Sequence, residues 1–598
     1  MEETRRLLFR TLTEMLAYQA ETCPDALFAR FLERGAVVDT YTYAQTWTWA
    51  AQWATLFVER GLRRGEAVVI ALPNSADFLG AYFGTLLAGG IPAPAAPIRR
   101  LQPDDPYLAM IASRLRFIES RLLAVPENLA GAARVAPISG VEKLAVVTRR
   151  DLPPDSRPVA PNGREDDLGL LQFTSGTSGS AKAVQLTHAA LLAQTRAISF
   201  ALTLKDRNGD SAVSWLPFFH DMGLIGYLLT TANLGGAVTV LLTEDFILRP
   251  SLWIKALSDF GATITGGPPS AYALCARRMK DSEVAAYDLR RVRVALVGAE
   301  MISPESMEQF TEKFRPAGFR PTSLMPTYGL AENGLAVTMT PLDQGPEFDT
   351  IDLEIMQSQG LAIPPSELNT QNAEFGIPHS AFRIPHSAFR APATRSVASV
   401  GRPLPQMEVA IMDESGERLG ERRVGEIILR SPSLMKGYYR QPEATRLALR
   451  DGWLWTGDLG YLSDDKLYLT GRKKEVMIVG GRNYSPDDLE HIAAAVPGVR
   501  MGRAVAISYE DPDRATEAVA VLAETGLTGP DERDALRQGI RKALVQAGFP
   551  ISEVVLLRPK TIQSTLNGKL KRAECKTRFL AGEFAEWDEF ENLRPGRR

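Results

Sequence analysis

The sequence predicts an α/β protein: a large, multi-layer N-terminal domain of β-sheets flanked by helices, followed by a small α/β C-terminal domain. Three observations carry this. Short β-branched and apolar runs, AVVIAL (67–72), AVTVLL (237–242) and VRVALVGAE (292–300), alternate with helical stretches such as YAQTWTWAAQWATLFVERGL, the pattern of helices laid on largely buried strands. A chain of 598 residues with 45% hydrophobic side chains exceeds one ordinary core and divides. The pattern also changes at GRKKE (471–475), which follows the strand-like KLYLT and precedes VMIVGG. These features predict domains at 1–470 and 476–598, the second of about 125 residues, an ordinary domain size.

The elements follow in order. Trp49, Trp53 and Phe57 recur at four-residue spacing and form the core-facing stripe of one helix. Phe78 to Ala96 is the longest apolar stretch, but Gly84, Gly89, Gly90, Pro92 and Pro94 leave it short of a membrane span of roughly 20 residues. It reads as a buried helix running into a turn. Residues 343–398 carry few helix or strand signals and contain IPHSAFR twice in tandem, at 377–383 and 384–390. Proline in each copy rules out a sustained helix, so the segment is expected to be an irregular, insertion-like loop. Regular structure resumes with strands at MEVAIMD (407–413) and VGEIILR (424–430), joined through the Gly416 turn region. WDEFENLRPGRR at the end reads as a loose tail.

Bulk properties exclude several function classes. Sixty-eight Lys and Arg nearly balance 71 Asp and Glu, which leaves no broad basic face for nucleic acid and no acidic tail. Cys23, Cys275 and Cys575 have neither pairing nor metal-ligand spacing, as expected of free thiols in a reducing cytoplasm. The N-terminus lacks the sustained apolar region of a secretory signal. His188, His379, His386 and His491 show no metal-ligand spacing.

The strongest local chemistry lies in LQFTSGTSGSAKAVQLTH (171–188). A strand-like entry meets Thr174, Ser175, Gly176, Thr177, Ser178 and Gly179, and then Lys182. Small residues let backbone N–H groups close around phosphate oxygens, hydroxyls add donors, and the lysine supplies countercharge. The order differs from the G-x-x-x-x-G-K-[ST] of P-loop nucleotidases, so kinase or GTPase chemistry is not implied. A Ser/Gly-rich loop by itself also describes a flexible linker.

The loop is the first of an ordered series of motifs: TSGTSGSAK, YGLAE (328–332), TGDLG (456–460), GRKKE, GRNYSPDDLE (481–490) and NGK (567–569). This series resembles the adenylate-forming superfamily of acyl-CoA synthetases, luciferases and peptide-synthetase adenylation domains, over nearly the whole chain. SWLPFFHDMGLIG (214–226), YGLAE and GRNYSP look most like the fatty acyl-AMP ligases. The resemblance implies ATP and Mg²⁺ as cofactors, a fatty acid as substrate, and a separate acyl carrier protein or polyketide or peptide synthase as partner.

The resemblance also implies roles. Thr174 to Gly179 with Lys182 would hold the β- and γ-phosphates, and Glu332 would be a hard oxygen ligand for Mg²⁺. Tyr328 and Gly329, with Gly298, Ala299 and Glu300, would line the adenine pocket. Asp458 and Arg472 would bind the ribose hydroxyls. Lys474 falls at the hinge, 471–475, about which the small domain would rotate. His220 would gate or pack the mouth of the acyl pocket; as a base it is not needed, because the attacking carboxylate is ionised at neutral pH. Lys569 would be the catalytic lysine, reaching carboxylate and α-phosphate. The sequence departs from the family here, since Thr561 and Lys569 lie eight positions apart, a longer spacing than usual, and Lys571 is a nearby competitor.

Three readings are open. The first is a fatty acyl-AMP ligase that passes its acyl group to a carrier thiol on another protein, no carrier sequence being visible in the chain. The second is an acyl-CoA synthetase; fatty acyl-AMP ligases carry an insertion in the large domain that hinders the coenzyme A-using arrangement, and the 343–398 segment after YGLAE is compatible with it, although the tandem repeat could make its length accidental. The third is a non-catalytic acyl-nucleotide sensor or scaffold, suggested by Ala181 and Ala183 where relatives have Pro and Gly.

Overall fold

In a computed structural model, the structure describes residues 9–97, 106–129, 141, 143–156, 160–161, 163–174, 182–204, 209–367, 394–479, 482–510, 517–564 and 570–584. The tandem repeat and the C-terminal tail lie outside them.

The α/β architecture is as expected. A nine-stranded sheet has at its centre six parallel strands, Leu324–Gly329, Val294–Val297, Ile264–Gly267, Ser211–Ser214, Ala237–Leu241 and Leu27–Glu33. Antiparallel neighbours close both sides: Ala36–Thr42 at one, Ala336–Met339 and Arg402–Pro403 at the other. The three apolar runs supply Ala67–Ile70, Ala237–Leu241 and Val294–Val297, each almost wholly buried, as central parallel strands should be.

A second, all-parallel sheet of four strands runs Ile91–Pro94, Ala67–Ile70, Leu122–Ala124, Ala145–Val147. The helix Ala76–Leu87 packs against it, and Tyr43–Glu59 packs on that helix. Tyr43–Glu59 starts at a capping box between Thr42 and Gln45. In its stripe Trp53 and Phe57 are fully buried, whereas Trp49 is half-buried and donates Nε1–H to the Ala76 carbonyl at 3.0 Å. Ala76–Leu87, the buried helix expected from 78 onward, is N-capped by Ser75.

Two smaller sheets position the site. One joins Leu168–Phe173, Ala183–Thr187 and Gly437–Tyr438. The other contains Glu408–Met412, Gly425–Arg430, Trp453–Ser463, Leu449–Arg450 and Lys466–Arg472. The C-terminal part has its own sheet, Val499–Glu510, Glu517–Thr525 and Glu553–Leu557, with helices Pro486–Ala494 and Pro530–Gln546 over an apolar cluster on one face and Arg572–Leu580 over a second cluster on the other.

The 343–398 segment corrects the expectation of irregularity. Phe348–Asp352 and Thr394–Ala398 pair as antiparallel strands, and Asp352 caps a helix, Leu353–Gln359. FDTID and TRSVA are short and polar, so period-2 alternation gives them no signal. Leu353 packs into the apolar cluster of the C-terminal part. Two ion pairs join the same bodies, Arg395–Asp488 at 3.0 Å, almost buried, and Arg482–Glu354 at 3.2 Å. Among the described residues no helix is long and apolar enough to cross a membrane, and all three cysteines are free and buried.

Candidate active site

The loop motif is the connection of a β-hairpin. Its strands run to Phe173 and from Ala183, and Thr174 N–H donates to the Lys182 carbonyl at 2.9 Å to close the base. Ser175, Gly176, Thr177, Ser178 and Gly179 lie outside the described residues. Lys182 Nζ stands 4.1 Å from the ring centroid of Tyr438, and Tyr438 Oη donates to Glu332 Oε1 at 2.8 Å. The aromatic face and the carboxylate thus frame one ammonium group. Burial lowers the Lys182 pKa, Glu332 opposes that, and Lys474 adds to it. Burial also raises the Glu332 pKa, against the Tyr438 hydrogen bond and the Lys182 charge. Two lysines within electrostatic reach of each other beside a desolvated carboxylate fit a polyanion with its cation. Among the described residues no group of three or more His, Cys, Asp or Glu could hold a metal ion.

A second cluster forms where the carboxyl end of a central parallel strand, the place where open α/β sheets put their ligands, meets two antiparallel strands of the five-stranded sheet. Tyr328, near the end of Leu324–Gly329, is buried and donates Oη–H to Asp458 Oδ2 at 2.7 Å. Arg472 Nε holds Asp458 Oδ1 at 2.9 Å; the two residues are register partners on adjacent strands. A carboxylate has about four acceptor positions, so Asp458 keeps capacity for further donors. Burial, then the Asp458 charge, holds the Tyr328 hydroxyl far above its usual pKa, and the Asp458 charge raises that of Arg472.

Beside this cluster, Gly298, Ala299 and Glu300 follow Val294–Val297. A Cβ on Gly298 would lie 2.8 Å from Thr327 Oγ1, so only glycine lets the strands approach there. Ala299 has φ of 71°, a conformation that costs a residue with a Cβ about 1–3 kcal/mol and gathers at functional sites. Glu300 is turned onto Ser270, accepting from its N–H at 3.2 Å and its hydroxyl at 3.0 Å. Gly329 is exposed at the strand end, and a Cβ there would meet the Leu335 carbonyl.

His220 ends a turn stitched by Asn74, which donates to the Leu216 carbonyl at 2.9 Å and accepts from Phe218 N–H at 2.9 Å. His220 Nδ1 is 2.6 Å from Asp221 Oδ1. The next element, Met222–Leu229, is a π-helix, a rare form enriched at functional sites. Gln172 Nε2–H donates to the Phe219 carbonyl at 2.9 Å and so ties this turn to the hairpin.

The residues 471–475, expected as a hinge, have partners on both sides. Arg472 is held by Asp458, and Lys473 Nζ by Glu426 Oε2 at 3.0 Å. Two residues on, Glu475 Oε2 accepts from Arg572 Nη1 at 2.6 Å. Lys474, exposed between them, has the unanchored side chain of the turn. Lys569 lies outside the described residues. Ser564 and Leu570 form an antiparallel bridge, and the competitor Lys571 is paired with Glu574 at 3.1 Å. His188, fully enclosed, accepts from Leu12 N–H at 3.2 Å, and burial pushes its pKa down to about 4; it is a neutral structural histidine.

The structure therefore brings Lys182, Tyr438 and Glu332 together, the Lys474 charge acting on Lys182, and separately Tyr328, Asp458 and Arg472 beside Gly298–Glu300. Sequence reasoning missed Tyr438, Gln172, Glu426 and Arg572. Gln172 lay inside a quoted motif, and Arg572 three positions after the proposed lysine; Tyr438 and Glu426 become visible only through tertiary contacts.

A hairpin loop with a desolvated lysine, a carboxylate beside it, and an Asp–Arg–Tyr cluster at the end of a central parallel strand together define the class: adenylate-forming enzymes. The sequence profile described as AMP-binding enzyme matches residues 16–439, and the chain belongs to that family. A provisional acyl-CoA synthetase of Caulobacter vibrioides is 33% identical over 97% of this chain and 96% of its own. A medium-chain-fatty-acid–[acyl-carrier-protein] ligase of Moorena producens is 28% identical over 97% of each chain. A solved structure from a study of fatty acyl-adenylate ligases of E. coli and L. pneumophila superposes with a TM-score of 0.85 at 32% identity, covering 97% of this chain and 99% of the other. The resemblance to fatty acyl-AMP ligases read from the motifs holds, and the chain is an enzyme of that kind.

Proposed function

We propose that the enzyme joins a fatty acid to the AMP part of ATP, releasing pyrophosphate, and then passes the acyl group to the phosphopantetheine thiol of a separate carrier protein. The observation that carries the first step is the pairing of a phosphate-side group, Lys182–Glu332–Tyr438, with a sugar-side group, Asp458–Arg472–Tyr328, at the two ends of one nucleotide. Asp458 accepts the ribose hydroxyls while Arg472 orients it. Tyr328, Gly329 and Gly298–Glu300 line the adenine side, and Thr174–Gly179 with Lys182 hold the β- and γ-phosphates. Mg²⁺ held by Glu332 would neutralise phosphate charge.

The acid arrives ionised, so no base is required. A carboxylate oxygen attacks the α-phosphorus, the bond from that phosphorus to the β-phosphate oxygen breaks, and pyrophosphate leaves with the electron pair. Lys569 steadies charge on both reacting groups, and His220 packs at the acyl entrance. Residues 1–470 form the large domain and 476–598 the small one, rotating about Lys474 within 471–475. The enzyme works in the cytoplasm, where its three thiols stay reduced.

A carrier acceptor is supported by the place of the 343–398 segment after YGLAE, where fatty acyl-AMP ligases carry an insertion that hinders the coenzyme A-using arrangement; here it contacts the small domain through Leu353, Arg395–Asp488 and Glu354–Arg482. The Moorena relative's carrier-protein ligase name points the same way, whereas the Caulobacter relative's name favours coenzyme A. Parallel assays decide. The purified enzyme with ATP, Mg²⁺ and acids of graded chain length is expected to release pyrophosphate and form acyl-AMP. A phosphopantetheinylated carrier is expected to be acylated far faster than coenzyme A. No adenylate with any acid would refute the first step, and efficient acyl-CoA formation the second.

A further inference from the structure

Two opposite charges stand on one tyrosine without touching each other. The Lys182 ammonium lies 4.1 Å from the centroid of the Tyr438 ring, over its face. The Tyr438 hydroxyl, which projects in the plane of the ring, donates instead to Glu332 Oε1 at 2.8 Å. Burial works against the charged lysine, Glu332 supports it and Lys474 opposes it, so the carboxylate is within electrostatic reach. Yet among the described residues Lys182 and Glu332 form no ion pair, each being turned to a different part of Tyr438.

Tyr438 is placed by a segment whose backbone is tied at both charges. Gly437–Tyr438 pairs with Ala183–Thr187, Tyr438 opposite Val184, and Tyr439 N–H donates to the Ala183 carbonyl at 2.8 Å, next to Lys182. At the other end Met435 N–H donates to the Glu332 carbonyl at 2.8 Å. Tyr438 N–H is held by Thr445 Oγ1 at 2.9 Å, in the helix Pro442–Ala448, and the ring is buried, so it resists moving aside. A lysine and a carboxylate this near each other away from bulk water attract strongly, and once joined the ammonium is occupied before a phosphate arrives. We infer that Tyr438 is a separator: its hydroxyl holds Glu332 off Lys182 while its face supports the ammonium, so that Lys182 meets a phosphoryl oxyanion unpaired. A ring face suits this task because it holds an ammonium more weakly than an oxyanion does and gives way to a phosphate. Tyr438 is thus a positioning residue acting through Lys182, and the inference rests on the proposed function.

The test measures ATP binding to the full chain by calorimetry in EDTA, so that affinity reports the protein's own charges. Lys182→Met is expected to weaken ATP about tenfold or more. Tyr438→Phe keeps the face and removes the hydroxyl; it is expected to weaken ATP about tenfold, because Glu332 then captures the ammonium. In Glu332→Gln enzyme no carboxylate is there to do so, and the same Tyr438→Phe change is expected to alter affinity less than about twofold. A tyrosine with a merely structural role would cost the same in both backgrounds. If Tyr438→Phe lowers the melting temperature, Tyr438→Met, with neither face nor hydroxyl, is carried through the same two backgrounds and is expected to show the same dependence on Glu332. Unchanged affinity in Tyr438→Phe, or an equal loss with and without Glu332, overturns the inference and leaves the proposed function standing. Wild-type affinity in Lys182→Met fails the underlying reading of the phosphate side, and the inference with it.

Discussion

Replacing Arg572 by Met removes the charge that holds three carboxylates together. The guanidinium donates to Glu490 at 2.7 and 2.8 Å, to Glu475 at 2.6 Å, and to Asp487. Asp487 and Glu490 are on the helix Pro486–Ala494, and Glu475 follows the proposed pivot. Glu490 also accepts from Ala506 N–H at 3.0 Å and is buried. Breaking a buried pair from one side costs about 3–5 kcal/mol, because the remaining charge is unpaired.

The pH dependence sharpens this. Burial raises the Glu490 pKa to about 7 even with Arg572 present, whose hydrogen bonds and charge pull it down. A carboxyl raised above its unfolded value folds best protonated, so its destabilising contribution grows as pH rises from its unfolded value toward the folded one. Without Arg572 the folded value rises further and the loss continues to higher pH. The part of the stability gap between wild type and Arg572→Met that Glu490 carries is therefore expected to be small below about pH 7, where Glu490 is protonated in both folded proteins, and to widen by about 1.4 kcal/mol per pH unit above it. Denaturant titrations at several pH values, read by hydrogen exchange of the strands Val499–Glu510 and Glu517–Thr525, measure it. A gap below about 0.5 kcal/mol at pH 8, or one independent of pH, refutes the reasoning.

Other perturbations give distinct signatures. Asp458→Asn leaves Arg472 and Tyr328 without their acceptor charge and is expected to raise the KM for ATP about tenfold or more, measured by pyrophosphate exchange; an unchanged KM argues against ribose contact. Lys182→Met should lower kcat for adenylation about a hundredfold with folding intact by circular dichroism, and a loss under tenfold would remove Lys182 from phosphate neutralisation. Gly329→Ala puts a Cβ on the Leu335 carbonyl and should lower stability by about 1–3 kcal/mol in thermal denaturation, with nucleotide affinity falling in parallel.

Much of this was legible in the sequence for a physical reason. Buried parallel strands must be continuous apolar runs, so VRVALVGAE and AVTVLL announced themselves. Asp458 and Arg472 were legible as motif residues, and their meeting follows from the strand pairing between them. The strands of the 343–398 segment were not, since their pairing is decided by partners 46 residues apart, such as Thr350 and Ser396. Its grip on the small domain was equally hidden, because Leu353, Glu354 and Arg395 look like ordinary surface residues until Asp488 and Arg482 are opposite them. Tyr438 and Glu426 likewise owe their roles to chains brought together from far apart, to Glu332 and Lys473.

The central claim, a carboxylate joined to AMP, is tested most directly by isotope transfer. A fatty acid labelled with ¹⁸O in both carboxyl oxygens is incubated with enzyme, ATP, Mg²⁺ and acceptor, and the nucleotide product is weighed by mass spectrometry. Attack on the α-phosphorus predicts AMP carrying one ¹⁸O, with unlabelled pyrophosphate in equal amount, and Lys569→Ala lowering both by about two orders of magnitude. Unlabelled AMP, or label appearing in inorganic phosphate with ADP as the nucleotide product, would contradict the account.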